Sequence, residues 1–265
     1  MIDPFLIKLI LSFIVGGLWI MGVSVLIEKL GTKIGGIIGG LPSIALVSFF
    51  FIGLVQGPIA ASEATISLLF MTGVTSIFLL ILMRFIEKGY IVALLISLFV
   101  WFLAGGLIAS LKLNNFNLSI GVWITLIAFC YYLVRYKFDI KSQGKVAIKY
   151  SPQQIVGRAL FAGSVVAFAV LMSRIGGPLF GGIFAAFPAT YLSAFTIAYH
   201  KHGVRFSRAL AQPLLIGGMT TTPIYAIAVH YFYPPFGIIL GTIFSYAISI
   251  ASAFLVYLFI KTRLK

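Results

Sequence analysis

The chain has 265 residues, 61% of them hydrophobic and only 9% charged, with a mean hydropathy of +1.14. A soluble domain is about 45–50% apolar and about 25% charged, so this composition excludes a water-soluble globular protein, whose surface these residues could not cover. The net charge of +14 would suggest nucleic acid in a soluble chain, but here the Lys and Arg fall in short loops, where membrane topology explains them and no nucleic-acid partner is expected.

At roughly 20 apolar residues per span, the length suffices for about nine transmembrane helices, an all-α polytopic membrane protein. Apolar runs between polar breaks predict spans at 5–27, 35–55, 61–85, 90–111, 117–135, 155–173, 178–199, 207–230 and 236–260. The first run is too long for the apolar region of a signal peptide, and Glu28-Lys29-Leu30-Gly31 does not resemble a small-residue cleavage site, so it is expected to stay as a span. Cys130, the single cysteine, allows no intrachain disulfide. Loop 136–154 is the one long connection. Its basic stretch, 135–158, is expected to contact the bilayer's anionic lipid heads. Tyr131, Tyr132, Tyr136, Tyr231 and Tyr233 read as interfacial belt residues.

With nine spans the basic residues sort by side. One face holds Lys8, Lys112 and Arg174, and the other holds the remaining 16 of the 19. The positive-inside rule then predicts a plasma-membrane protein with its amino end outside and its carboxyl end in the cytoplasm.

A shift of 146 residues superposes two halves of the sequence. Gly17 falls on Gly163, Gly31 on Gly177, Gly35 and Gly36 on Gly181 and Gly182, Pro42 on Pro188, Phe49 on Phe195, Gly57 on Gly203 and Thr75 on Thr221. The organisation this predicts is a first repeat of four spans over 1–112, a linker helix and basic loop over 113–153, and a second repeat over 154–265. Five spans separate the two starts, an odd number, so the copies would insert in opposite orientations, as in many secondary transporters.

The segments 181–200, Gly-Gly-Ile-Phe-Ala-Ala-Phe-Pro-Ala-Thr-Tyr-Leu-Ser-Ala-Phe-Thr-Ile-Ala-Tyr-His, and 39–53, Gly-Gly-Leu-Pro-Ser-Ile-Ala-Leu-Val-Ser-Phe-Phe-Phe-Ile-Gly, resemble the second span of the GlpM-like inner-membrane proteins. Those are small four-span bacterial proteins, so the resemblance implies two such units fused through one added helix. It implies a fold more than an activity. The family is linked to exopolysaccharide production and its biochemical activity is unassigned. The general plan also resembles that of the drug/metabolite transporters, as architecture only.

Chemistry could sit at the mid-span prolines. Pro42 and Pro188 each remove a backbone hydrogen bond, and in lipid the freed carbonyls need new partners. A discontinuous helix restarting near Ser43 or Thr190 would aim free N–H groups and a positive dipole end at a midplane cavity, suited to an anion or a polar head. A simple packing kink is the competing explanation. Gly35, Gly36, Gly39 and Gly40, with Gly181 and Gly182, form small-xxx-small faces for close helix approach. In the eighth span, Gln212 and Thr220–Thr222 form a polar track with Pro213 and Pro223, and Thr72, Thr75 and Ser76 stand in the matching zone of the first copy. Self-bonded hydroxyls would account for these equally. Glu63, near the outer end of the third span, is the one candidate for a coupling carboxylate, although interfacial hydration explains it as well.

His200 and His202 lack a shared helical face and an acidic partner, so no metal is expected, and His230 reads as interfacial. No cofactor is expected. No catalytic motif is present, so an enzyme is not expected. The leading expectation is a permease for a small metabolite or lipid-linked group, acting by alternating access, with Pro42, Ser43, Glu63, Thr75, Pro188, Thr190, Gln212 and Thr221 at its substrate site. The alternatives are a non-transporting accessory factor for envelope polysaccharide or lipid synthesis and, more weakly, a passive channel. The small-residue faces are compatible with a homo-oligomer.

Overall fold

A computed structural model describes residues 3–137 and 150–263. Every described element is a helix, which satisfies backbone groups within each segment as a lipid environment demands. The helices are α1 (Pro4–Gly39), α2 (Ser43–Gln56), α3 (Pro58–Phe85), α4 (Tyr90–Ser110), α5 (Phe116–Tyr132), α6 (Pro152–Gly176) and α7 (Pro178–Ala185). A last helical stretch, Ala189–Arg263, is divided by non-helical backbone at Gly203 and Gly237. We number its parts α8 (189–202), α9 (204–236) and α10 (238–263).

Single glycines make the reversals. Gly57, Gly89, Gly177, Gly203 and Gly237 all have positive φ, between 71° and 129°, where a β-carbon would clash with the neighbouring carbonyl. Pro58 and Pro178 follow two of them and open the next helix at a position whose N–H has no partner anyway. Ring contacts prove that the chain doubles back. Phe232 and Phe244 have centroids 5.9 Å apart and Phe168 and Phe184 4.7 Å apart, whereas twelve residues of straight helix span about 18 Å. The same reasoning applies inside α1, where a methyl on Gly39 would lie 3.5 Å from the Ile27 side chain.

The helices have two common ends. At one, Lys8 donates to the Leu54 carbonyl (2.6 Å), Arg174 lies over the Phe5 ring (4.0 Å), and Phe116 stacks on His230. At the other, Arg208 pairs with Glu87, and Tyr90 stacks on Tyr199 (4.9 Å). α3 lies at the centre: 83% of its apolar window is buried, against 22% for α1 and for α5. Outward stripes such as Phe99, Leu103 and Leu107 on α4, or Ile239 and Ile243 on α10, are exposed. Faces this apolar and this extensive belong against lipid.

Two of the nine expected spans are broken helices. Seven described stretches are long and apolar enough to cross a bilayer, and Ser43–Gln56 is a shorter apolar helix. The span expected at 35–55 is interrupted before Ser43, and α2, about 21 Å long, is too short to cross alone. The span expected at 178–199 is likewise split into α7 and α8. The spans expected at 207–230 and 236–260 fall in one run, Leu214–Leu258, that turns at Gly237. The residues left between those two spans, 231–235, are helical, and Gly237 supplies the reversal.

A close helix crossing joins the two halves. A methyl on Gly17 would lie 3.1 Å from the Ala159 carbonyl oxygen, and one on Gly163 2.5 Å from that of Phe13. A shift of 146 turns each pair into the other with α1 and α6 exchanged. The helices therefore cross antiparallel about a local twofold, through glycines that let the backbones touch.

Candidate functional site at two broken helices

The residues around Pro42 have no helical solution, since proline lacks the N–H and crowds the preceding turn. Pro42 has φ −77° and ψ 60°, an inverse γ-turn. Three bonds define the break: Leu41 N–H donates to the Ile38 carbonyl (3.2 Å), Ser43 N–H to Leu41 (2.8 Å) and Leu46 N–H to Pro42 (2.8 Å). The break at Pro188 repeats them at matched positions. Phe187 N–H donates to Phe184 (3.1 Å), Ala189 N–H to Phe187 (2.8 Å) and Leu192 N–H to Pro188 (2.8 Å). Both prolines are buried. α2 restarts at Ser43 without a side-chain cap, leaving its first N–H groups and the positive end of its dipole at the break.

Both breaks border one turn of α9. The Thr221 hydroxyl donates to the Gly40 carbonyl, an acceptor freed by the first break. One turn earlier, the Tyr191 hydroxyl, just beyond the second break, rests against Gly218, where a methyl would overlap it. The second break is closed on another side by aromatic packing. Trp101 donates from Nε1 to Thr75 Oγ1 (3.1 Å), and its ring lies 5.3 Å from that of Phe187.

Among the anticipated site residues, Pro42, Ser43, Thr221 and Gly40 meet at the first break, and Pro188, Thr190 and Thr75 lie at or beside the second. Ser43, Thr75 and Thr221 are buried, and Thr190 is half-buried. Glu63 is exposed, apart from both breaks. Beside it in the chain, Ser62 and Thr65 contact His230 Nδ1 at 3.3 Å and 3.2 Å, and His230 stacks on Phe116 at 3.8 Å. The Gln212 side chain and the packing of Gly35 and Gly36 lie outside the described residues. Gly181 and Gly182 are buried close contacts: a methyl on the first would lie 2.5 Å from the Ser173 side chain, and one on the second would overlap the Ala64 carbonyl. Gly39 ends α1, where a methyl would lie 3.5 Å from the Ile27 side chain, and Gly40 follows it beside the break. No group of three metal-ligating side chains occurs among the described residues.

Tyr191, Trp101 and Gly218 join the site without having been singled out from the sequence. A signal for two of them was present. The 146-residue shift sets Tyr191 on Ala45 and Gly218 on Thr72, a large-for-small exchange on both sides of one contact.

The Thr221 contact has a measurable consequence. Thr221→Val should leave the Gly40 carbonyl orphaned in an apolar setting and cost about 1–3 kcal/mol, read as a lowered midpoint of thermal unfolding in detergent. An unchanged midpoint would remove the hydroxyl from the break.

A family model described as a protein of unknown function (DUF3147) matches residues 9–114 and, a second time, residues 155–262. No curated protein and no solved structure matches the chain.

Proposed function

Since the chain belongs to the DUF3147 family, to which no activity is assigned, we propose that it is a secondary permease working by alternating access between two inverted repeats. In this reading the repeats are two GlpM-like four-helix units, and α5 is the linker that sets them in opposite orientations. The basic end is cytoplasmic, the Lys8 end faces outward, and the protein resides in the plasma membrane. The substrate is a small anionic or polar metabolite, or a lipid-linked group, held where uncapped N–H groups of α2 and the hydroxyls of Ser43, Thr190, Tyr191 and Thr221 converge. Gln212 is assigned to the same track. Glu63 is left out of the site because it stands in the exposed outer part of α3.

The observation carrying this reading is the pair of identical breaks bordering a single turn of α9. Discontinuous helices meeting at a pseudo-twofold centre are how transporters expose backbone groups to a substrate at the bilayer midplane. A hinge in each repeat gives two matched places where the chain can bend with little loss of hydrogen bonding, since those bonds are already absent.

The reading can be tested without knowing the substrate. In a Cys130→Ala background, Ser43→Cys and Thr190→Cys proteins in vesicles of known orientation are treated with a membrane-impermeant maleimide from either side. Alternating access predicts labelling of each position from both faces. Positions sealed from both faces would favour the accessory-factor alternative, and labelling through an open path from both sides at once would favour a channel.

A further inference from the structure

The Arg158 side chain projects from the first turns of α6 at the basic end. Its Nε and Nη1 atoms are shielded from solvent and have no hydrogen-bond partner. The guanidinium lies over the Tyr150 ring, 4.5 Å from its centroid. A guanidinium stays ionised under all biological conditions, and a buried charge without a counter-ion is strongly disfavoured. Tyr150 covers one face of the plane, and the in-plane N–H groups at Nε and Nη1 are left without a partner.

Among the described residues no carboxylate supplies the missing anion; the Glu28 side chain and Asp139 lie outside them. The chain holds five acidic residues against 19 Lys and Arg. Glu87 is engaged by Arg208, Asp3 accepts from Phe5 N–H at the far end, and Glu63 is also at that end.

We propose that Arg158, backed by Tyr150, is a binding site for a phosphate group. The planar fork matches two oxygens of a phosphate, the pairing in which arginine excels. Its place, about two turns inside the basic end of α6, is the depth of a lipid headgroup. The shared chemistry is therefore a phosphate mono- or diester, supplied by an anionic phospholipid or by a free phosphate from the adjoining water.

The full-length protein, delipidated in neutral detergent, is titrated with phosphatidylglycerol in mixed micelles, with inorganic phosphate, and with sodium chloride at matched ionic strength. Binding is read as thermal stabilisation and as bound lipid per protein by native mass spectrometry. Wild type should show one saturable site, weakened about tenfold or more in Arg158→Gln and partly retained in Arg158→Lys, which keeps the charge and loses the fork. Lys112→Gln, an exposed cation at the opposite end of the bundle, should bind as wild type. Stabilisation by phosphatidylglycerol alone identifies a lipid headgroup, and stabilisation by inorganic phosphate as well identifies a free phosphate. Should Arg158→Gln fold poorly, the lysine variant and the wild-type stoichiometry still decide the matter. Wild type unmoved by either probe, or Arg158 variants that titrate like wild type, overturns the proposal.

Discussion

Replacing both Pro42 and Pro188 with leucine is expected to abolish alternating labelling at positions 43 and 190 while leaving membrane insertion and folding intact. The physical reason is specific. A proline in a helix interior is unfavourable by about 3 kcal/mol relative to alanine, and at each break it holds open an inverse γ-turn whose neighbouring bonds are identical in the two halves. Leucine restores the N–H and relieves the crowding of the preceding turn, so α7 and α8, and the end of α1 with α2, can join as continuous helices. A continuous helix has no free N–H groups to offer a substrate and no hinge. The double variant should therefore unfold at the same temperature as wild type or higher, yet lose labelling from at least one face. Pro58→Leu is the control, because Pro58 occupies the first position of α3, where its missing N–H costs nothing. Labelling of the double variant from both faces, at the wild-type rate, would eliminate the hinge.

The second large effect falls on packing. Gly182→Ala adds a methyl that would overlap the Ala64 carbonyl and the Ser67 hydroxyl, which itself donates to Leu179 (2.8 Å). The obstacle on α3 is backbone and cannot rotate away. Overpacking of this kind typically costs about 1–3 kcal/mol, and the lost Ser67 bond adds to it. Gly106→Ala is the matched control: nothing lies within 4 Å of that methyl, and alanine is the better helix former by about 1 kcal/mol. The two midpoints in detergent should move in opposite directions. A Gly182→Ala protein as stable as wild type would show that α7 does not press on α3.

The matched breaks were readable in the sequence because proline acts locally. Its ring forbids the helix wherever it occurs in a span, so Pro42 and Pro188 mark the interruption without knowledge of neighbours. The restart at Ser43 and at Ala189 follows directly. The partners of the freed groups were less legible. Thr221 was recognisable as a hydroxyl in a polar track, but its acceptor is 181 positions away in the chain, and only packing brings the two together. Tyr191 looked like one more aromatic in an apolar run until Gly218 on α9 placed its hydroxyl beside the break. Glu63 stood out because carboxylates are rare here, yet rarity carries no information about depth, and the side chain ended up exposed.

Composition and period alone determined that this is an all-helical membrane protein, that it is doubled, and where each half is broken. Those properties depend on solvation of single residues and on backbone chemistry, and both act over a few positions at most. Tertiary structure decided which helices are full-length crossings, how one glycine reverses the chain where a loop was expected, and which hydroxyls meet the breaks. These outcomes depend on contacts between residues far apart in the chain. In a sequence that is apolar on every face of its helices, no amphipathic stripe announces which side will face a neighbour and which will face lipid.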